Sequence, residues 1–186
     1  MSLVSMIEPL QRHPLHSTAA ILEAALKDMG AAKGSKLPET SPMAALRPII
    51  VYGLSDVRAA CQAALEQGMA GLAIMTPSGV AHSLGPQWFK HLLQAARQAY
   101  AELKITAIMD CGPYEGHVMN ALNSGLKDVY YHGDDESAEK LGWIAAKTGA
   151  NIHRKFKDIL DLKGEGDQLA ACREWFSKPS RPRARV

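Results

Sequence analysis

Residues 48–77 read PIIVYGLSDVRAACQAALEQGMAGLAIMTP. Two short runs, PIIVYG (48–53) and GLAIMTP (71–77), are apolar along nearly their whole length. Strands covered on both faces read this way, whereas a strand with one wet face alternates. Between them, SDVRAACQAALEQG (55–68) repeats apolar residues at helical spacing: Val57, Ala60, Cys61, Ala64 and Leu65 share one face. Ser55 precedes that stripe as the expected N-cap, and Gly68 closes it. Strand, amphipathic helix and strand in so short a span make a βαβ unit, so the two strands run parallel with a right-handed crossover.

The same alternation continues outward. GPQWFKHLLQAARQAYAE (85–102) predicts a helix with Pro86 near its first turn and Phe89, Leu92, Leu93, Ala96 and Tyr100 facing inward. KITAIMD (104–110) reads as the third strand and YEGHVMNALNSG (114–125) as the next helix, closed by Gly125. DVYYHG (128–133) is a strand. DESAEKLGWIAAKTG (135–149) is a helix with acids in its first turn, ANIHR (150–154) a short fifth strand, and DQLAACREWFS (167–177) a last helix. The expected fold is therefore α/β: a predominantly parallel sheet of about five strands with helices on both faces. It is either open and doubly wound or part of a TIM-like barrel; periodicity does not separate the two. Upstream, LHSTAAILEAALKDM (15–29) predicts a further helix with Ala19, Leu22, Leu26 and Met29 on one face, and AAKGSKLPETSP reads as a linker. Three regions result: residues 1–46, the βα-repeat domain 47–177, and a disordered tail 178–186.

The chain has 186 residues, 47% hydrophobic and 22% charged, which suits one soluble globular domain. Aromatics are only 6%, so the core is built from Ala, Leu, Ile, Val and Met. The formal charge of +2 is concentrated at one end: KPSRPRARV (178–186) holds Lys178, Arg181, Arg183 and Arg185 and no acid. Without those four, 17 of the 21 basic residues remain against 19 acidic ones, so the body is near neutral. The tail reads as a solvated terminus rather than a nucleic-acid arm. Three widely spaced cysteines, Cys61, Cys111 and Cys172, exclude a disulfide framework and point to a reducing cytoplasm. MSLVSMIEPLQRHP lacks the basic start and apolar core of a signal peptide, and no run nears the ~20 apolar residues of a membrane span.

In either parallel architecture ligands bind beyond the carboxyl ends of the strands. The candidates are then Tyr52-Gly53-Leu54-Ser55-Asp56, Thr76-Pro77-Ser78-Gly79, Asp110-Cys111-Gly112 and His132-Gly133-Asp134. Asp110 and Cys111 are the catalytic candidates. A thiol at a helix start is activated by a neighbouring imidazole, here His132, when the two meet. Asp110, Cys111, His117 and His132 are also ligand types for zinc or another divalent metal, with Cys111 and His132 the metal candidates. Against this stand plainer roles: a buried inert thiol for Cys111, and a solvated side chain for His117. TPSGVAHSLGP (76–86) is a long small-residue connection whose amides suit an anion, with Thr76, Ser78, Gly79 and Ser83 as contacts. Ser55 and Gly133 join these as ligand-binding candidates from the neighbouring strand ends. The loop carries neither a P-loop nor a dinucleotide fingerprint.

Across about residues 48–155 the order of these motifs resembles the first half of the class II fructose- and tagatose-bisphosphate aldolases, zinc-dependent TIM barrels. VYGLSDVRAACQAALEQG is similar to their opening strand, polar turn and helix. MTPSGVAHSLGPQWFKHLLQAA is similar to their Ser-Pro-Gly-Ala-type loop and following helix start, IMDCG to their Leu-Asp-His-Gly-like motif, and YYHGDD to their Ile-Asp-Gly-Ser pattern. The resemblance implies a catalytic acid/base role for Asp110. It sets Cys111 where the family has a zinc-binding histidine, and gives His132-Gly133-Asp134 no family role. The family's other zinc ligands and Gly-rich phosphate loops have no counterpart in these residues, so aldolase activity is not expected of this chain alone.

The reading that follows is a cytoplasmic α/β domain binding a small phosphate- or carboxylate-bearing metabolite at its strand-end rim. The alternatives are a metal-assisted lyase using Asp110, Cys111 and His132, and a non-catalytic interaction protein. Uncovered sheet edges lead us to expect a homo-oligomer, with no membrane or nucleic-acid partner.

Overall fold

The computed structural model describes residues 46–178. The N-terminal helix expected at 15–29, its linker and all but the first residue of the basic tail lie outside them. The described elements are β1 (Ile49–Ile50), α1 (Leu54–Glu66), β2 (Gly71–Met75), α2 (Val80–Ser83), α3 (Gly85–Ala99), β3 (Lys104–Asp110), α4 (Glu115–Asn123), β4 (Asp128–Tyr130), α5 (Asp135–Lys147), β5 (Asn151–His153), β6 (Leu160–Asp161) and α6 (Gln168–Ser177).

All six strands form one sheet in the order β5-β4-β3-β2-β1-β6, and every pairing is parallel. The α/β parallel fold is thus as the apolar runs require. Ile49 pairs with Ile74, and Ile74 with Ala107; one residue on, Met75 pairs with Ile108, and Ile108 with Asp128. Residues in register share a face of the sheet, so these two rows define its two sides.

Ile49, Ile74 and Ala107 belong to a core shared with the buried residues of every long helix: Val57 and Ala60 of α1, Phe89 and Leu93 of α3, Val118 of α4, Leu141 of α5 and Cys172 of α6. The other side is a separate, small cluster of Ala73, Met75 and Ile108, against which Leu46, Ile50, Tyr130 and Phe156 pack. Among the described residues the helices therefore line one face; no second helical layer covers the other. Instead residues 154–159 lead from β5 to β6 past this face, with the Phe156 ring 5.3 Å from Tyr130 and 5.2 Å from His153. The strand order is that of a β/α barrel interrupted between β5 and β6. Among the described residues this corrects the expected covering of both faces, and it differs from a doubly wound sheet, whose helices lie on both sides.

Two helices, α5 and α6, start where a side chain satisfies a free helix amide. Asp134 accepts a hydrogen bond from the Ser137 amide at 2.8 Å, and Asp167 from that of Ala170 at 2.9 Å. At α1 the expected cap is corrected. Gly53 is the N-cap and Ser55 lies inside the helix, exposed, its hydroxyl donating to Asp56 at 3.3 Å. The Asp56 carboxylate takes the Tyr52 amide at 2.7 Å, so it, and not Ser55, ties down the chain entering the helix. No described helix is long and apolar enough to cross a membrane.

Candidate functional site

Parallel strands deliver their carboxyl ends to one rim, and here β2 and β3 end side by side. Thr76, fully buried, follows β2; its hydroxyl oxygen accepts the Asp110 amide at 2.9 Å, and its own amide donates to the Ile108 carbonyl at 3.1 Å. That pair of bonds fixes the last residue of β3. The Asp110 carboxylate turns back to accept the Gly112 amide at 2.8 Å. Gly112 has φ +62°, the left-handed region that glycine enters without strain, and this turn sends the chain across the rim into α4.

Asp110 is 7% exposed. Burial pushes its carboxyl above the ordinary range, while the Gly112 amide and the nearby His132 imidazole pull the other way. The chain from β2 supplies the opposite wall: Ser78, Gly79 and then α2, which carries His82. The result is a cleft of about 620 Å³ lined by these residues together with Asp110, Cys111, Gly112, Pro113, Tyr114 and His117. Its floor is the buried carboxyl and its mouth is aromatic. The His82 and His117 rings lie 5.8 Å apart between centroids, and the Tyr114 ring meets His117 edge-on at 5.1 Å. His117 sits in the first turn of α4, a nine-residue helix, where the helix dipole favours negative charge.

Of the residues nominated by sequence, Ser78, Gly79, Asp110 and Cys111 line this cleft. Cys111 does so with only 1% of its surface exposed, within the core that the helices share. Burial first, and the Asp110 charge second, push its thiol up to about 12. A thiol held protonated is a poor nucleophile and a poor metal ligand. His132 is exposed at the end of β4, bonded through its amide to the Gly112 carbonyl at 3.2 Å. It reaches Asp110 electrostatically, but the structure gives no pairing of its ring with the Cys111 thiol. Among the described residues no group of three or more His, Cys, Asp or Glu side chains could hold a metal ion, so the donor set does not fit zinc.

The other four candidates serve the fold. Thr76 spends its hydroxyl on the β3 amide. The Ser83 hydroxyl donates to the Gly79 carbonyl at 3.1 Å, and Ser55 sits above β1, away from the cleft lining. At Gly133, an added Cβ would come within 2.1 Å of the fully buried Tyr131 hydroxyl, so close packing requires this glycine. Sequence reasoning missed His82 and Tyr114 and weighed His117 only as a metal-ligand type or a solvated helix residue. The signal available was their position: each lies within a few residues of a strand end on the rim.

The chain matches no family model and no curated protein. The functional reading therefore rests on the geometry above.

Proposed function

We propose that this protein is a binding domain for a small phosphate- or carboxylate-bearing molecule, held in the cleft beyond β2 and β3. The observation that carries the reading is the approach of two imidazoles, His82 and His117, above one buried carboxyl, Asp110. Imidazoles from opposite walls can both donate to an anion, and the first turn of α4 adds its dipole. Ser78 offers a hydroxyl at the entrance. Burial raises the proton affinity of Asp110 above that of a solvated aspartate, which lessens its repulsion of a bound anion.

Three buried, unpaired thiols favour a reducing compartment, so we assign the domain to the cytoplasm. The kinship we infer with the aldolase barrels is one of architecture. Asp110 keeps the position of their proton-transfer residue, whereas their metal chemistry lacks ligands here. The test is a thermal-shift panel of inorganic phosphate, pyrophosphate, malonate and citrate. An anion present at 100 times its dissociation constant adds about 2.7 kcal/mol of stability. A panel in which no anion moves the melting temperature, or in which His82→Asn with His117→Asn responds like the wild type, removes the reading.

A further inference from the structure

We propose that a second groove, on the opposite rim, docks an extended acidic peptide segment of a partner protein. It has a volume of about 760 Å³ and lies between α3 and the turn that enters β4. Four cations line it: Lys90 and Arg97 from α3, Lys104 at the start of β3, and Lys127 just before β4. Among the described residues none of the four is paired with a carboxylate. Among the described residues the only carboxylate in the lining, Asp128, is already engaged, accepting from the Asn151 carboxamide and lying against the His153 ring, both at 3.0 Å.

The lysines are aimed by neutral partners. The Lys90 ammonium donates to the Ser124 carbonyl at 2.9 Å and that of Lys127 to the Thr148 carbonyl at 2.6 Å, both at helix ends. Such ends carry about half a negative charge each, less than the four cations bring, so the groove keeps a positive excess.

An edge of the sheet lies open in the same groove. Ile108 is the first residue of β3 to pair with β4, so Lys104–Ala107 pair with β2 on one side and, among the described residues, have no strand partner on the other. Arg97 donates to the Ile105 carbonyl on that side at 3.4 Å, a long bond that a visiting backbone can replace. From Gln87 to Gln98 the wall formed by α3 rises about 16 Å, the length of about five extended residues. Gln94 and Gln98 present carboxamides, which donate and accept as peptide groups do. Among the described residues no Phe, Tyr or Trp lines the groove, so these offer nucleic-acid bases no ring of that kind to stack on. Strand edge, polar wall and unpaired cations together fit an extended chain bearing carboxylates on alternate residues.

The probe is a fluorescein-labelled octapeptide of alternating Glu and Val, followed by anisotropy at low and high salt against the full-length protein. Binding should weaken as salt rises. Methylating alternate peptide nitrogens should weaken it about tenfold, and so should Lys104→Glu combined with Gln94→Glu, with no change in the response of the cleft to phosphate. Gln94→Glu alone, on the exposed helix surface, gives a milder loss if the double variant folds poorly. The proposal is overturned if the peptide does not bind, if the methylated peptide binds equally well, if the charge variants bind like the wild type, or if an eight-residue oligouridylate binds as tightly.

Discussion

His82 and His117 stand on different helices, yet their rings lie 5.8 Å apart across the cleft mouth. They meet because β2 and β3 are adjacent and parallel, so the short helices that follow them start on the same rim. If the pair holds an anion, His117→Asn should weaken phosphate or malonate binding about tenfold, or about 1.4 kcal/mol. Calorimetry of the wild type and the variant checks it; an unchanged affinity contradicts the role.

Asp110 makes stability depend on pH in a direction set by burial. Its folded carboxyl titrates above the ordinary aspartate value of 3.8. Above 3.8 the unfolded chain gives up this proton first, so the contribution of Asp110 to stability falls as pH rises toward the folded value. Asp110→Asn removes that loss and keeps an oxygen for the Gly112 amide. The variant should melt no lower than the wild type at pH 7, and any advantage should vanish below pH 3.8. A clear drop in melting temperature at pH 7 would mean that the ionised carboxylate is a structural necessity.

The thiols make an alkaline prediction. Burial pushes Cys61 up to about 11, and Cys111 and Cys172 up to about 12, from an ordinary value of 9.0. Between 9 and 11 the folded protein keeps protons that the unfolded chain loses, so each thiol costs about 1.4 kcal/mol per pH unit in that window. Cys111→Ala should therefore be less stable than the wild type at pH 7.5, with a deficit that shrinks by about 1 kcal/mol at pH 10. Urea melts at the two pH values measure it. An unchanged deficit, together with rapid labelling of the native thiol by Ellman's reagent, would show that Cys111 ionises in the folded protein.

Gly133 separates a structural role from a ligand role. A methyl group there meets the hydroxyl of the buried Tyr131, which donates to Glu115 at 3.2 Å. Gly133→Ala should cost about 1–3 kcal/mol while leaving anion affinity within twofold of wild type. A normal melting temperature with lost anion binding would assign the glycine to the site instead.

These residues also show what the sequence could and could not convey. KITAIMD was readable to the residue because five of its seven positions are buried, between a lysine at its start and a carboxylate at its end, and the strand spans Lys104–Asp110. Leu160–Asp161 was not, since two residues among charged neighbours carry no period, yet this strand extends the sheet beside β1. The short helix Val80–Ser83 escaped for the same reason, and with it the placement of His82. Cys111 misled because reactivity depends on burial, and the position after a strand does not reveal which way the side chain turns. Asp110 was legible because a carboxylate ending an apolar strand must lie at the rim. That the helices line one face depends on strand order, which no local pattern encodes.

The central claim is that anions enter the cleft between His82 and His117. Nuclear magnetic resonance of the imidazole protons during titration with inorganic phosphate or malonate tests it directly. His153, held by Asp128 at 3.0 Å and outside the cleft, serves as internal reference. The account predicts saturable shifts of the His82 and His117 signals with His153 unmoved; signals that stay in place, or all move together without saturating, would contradict it.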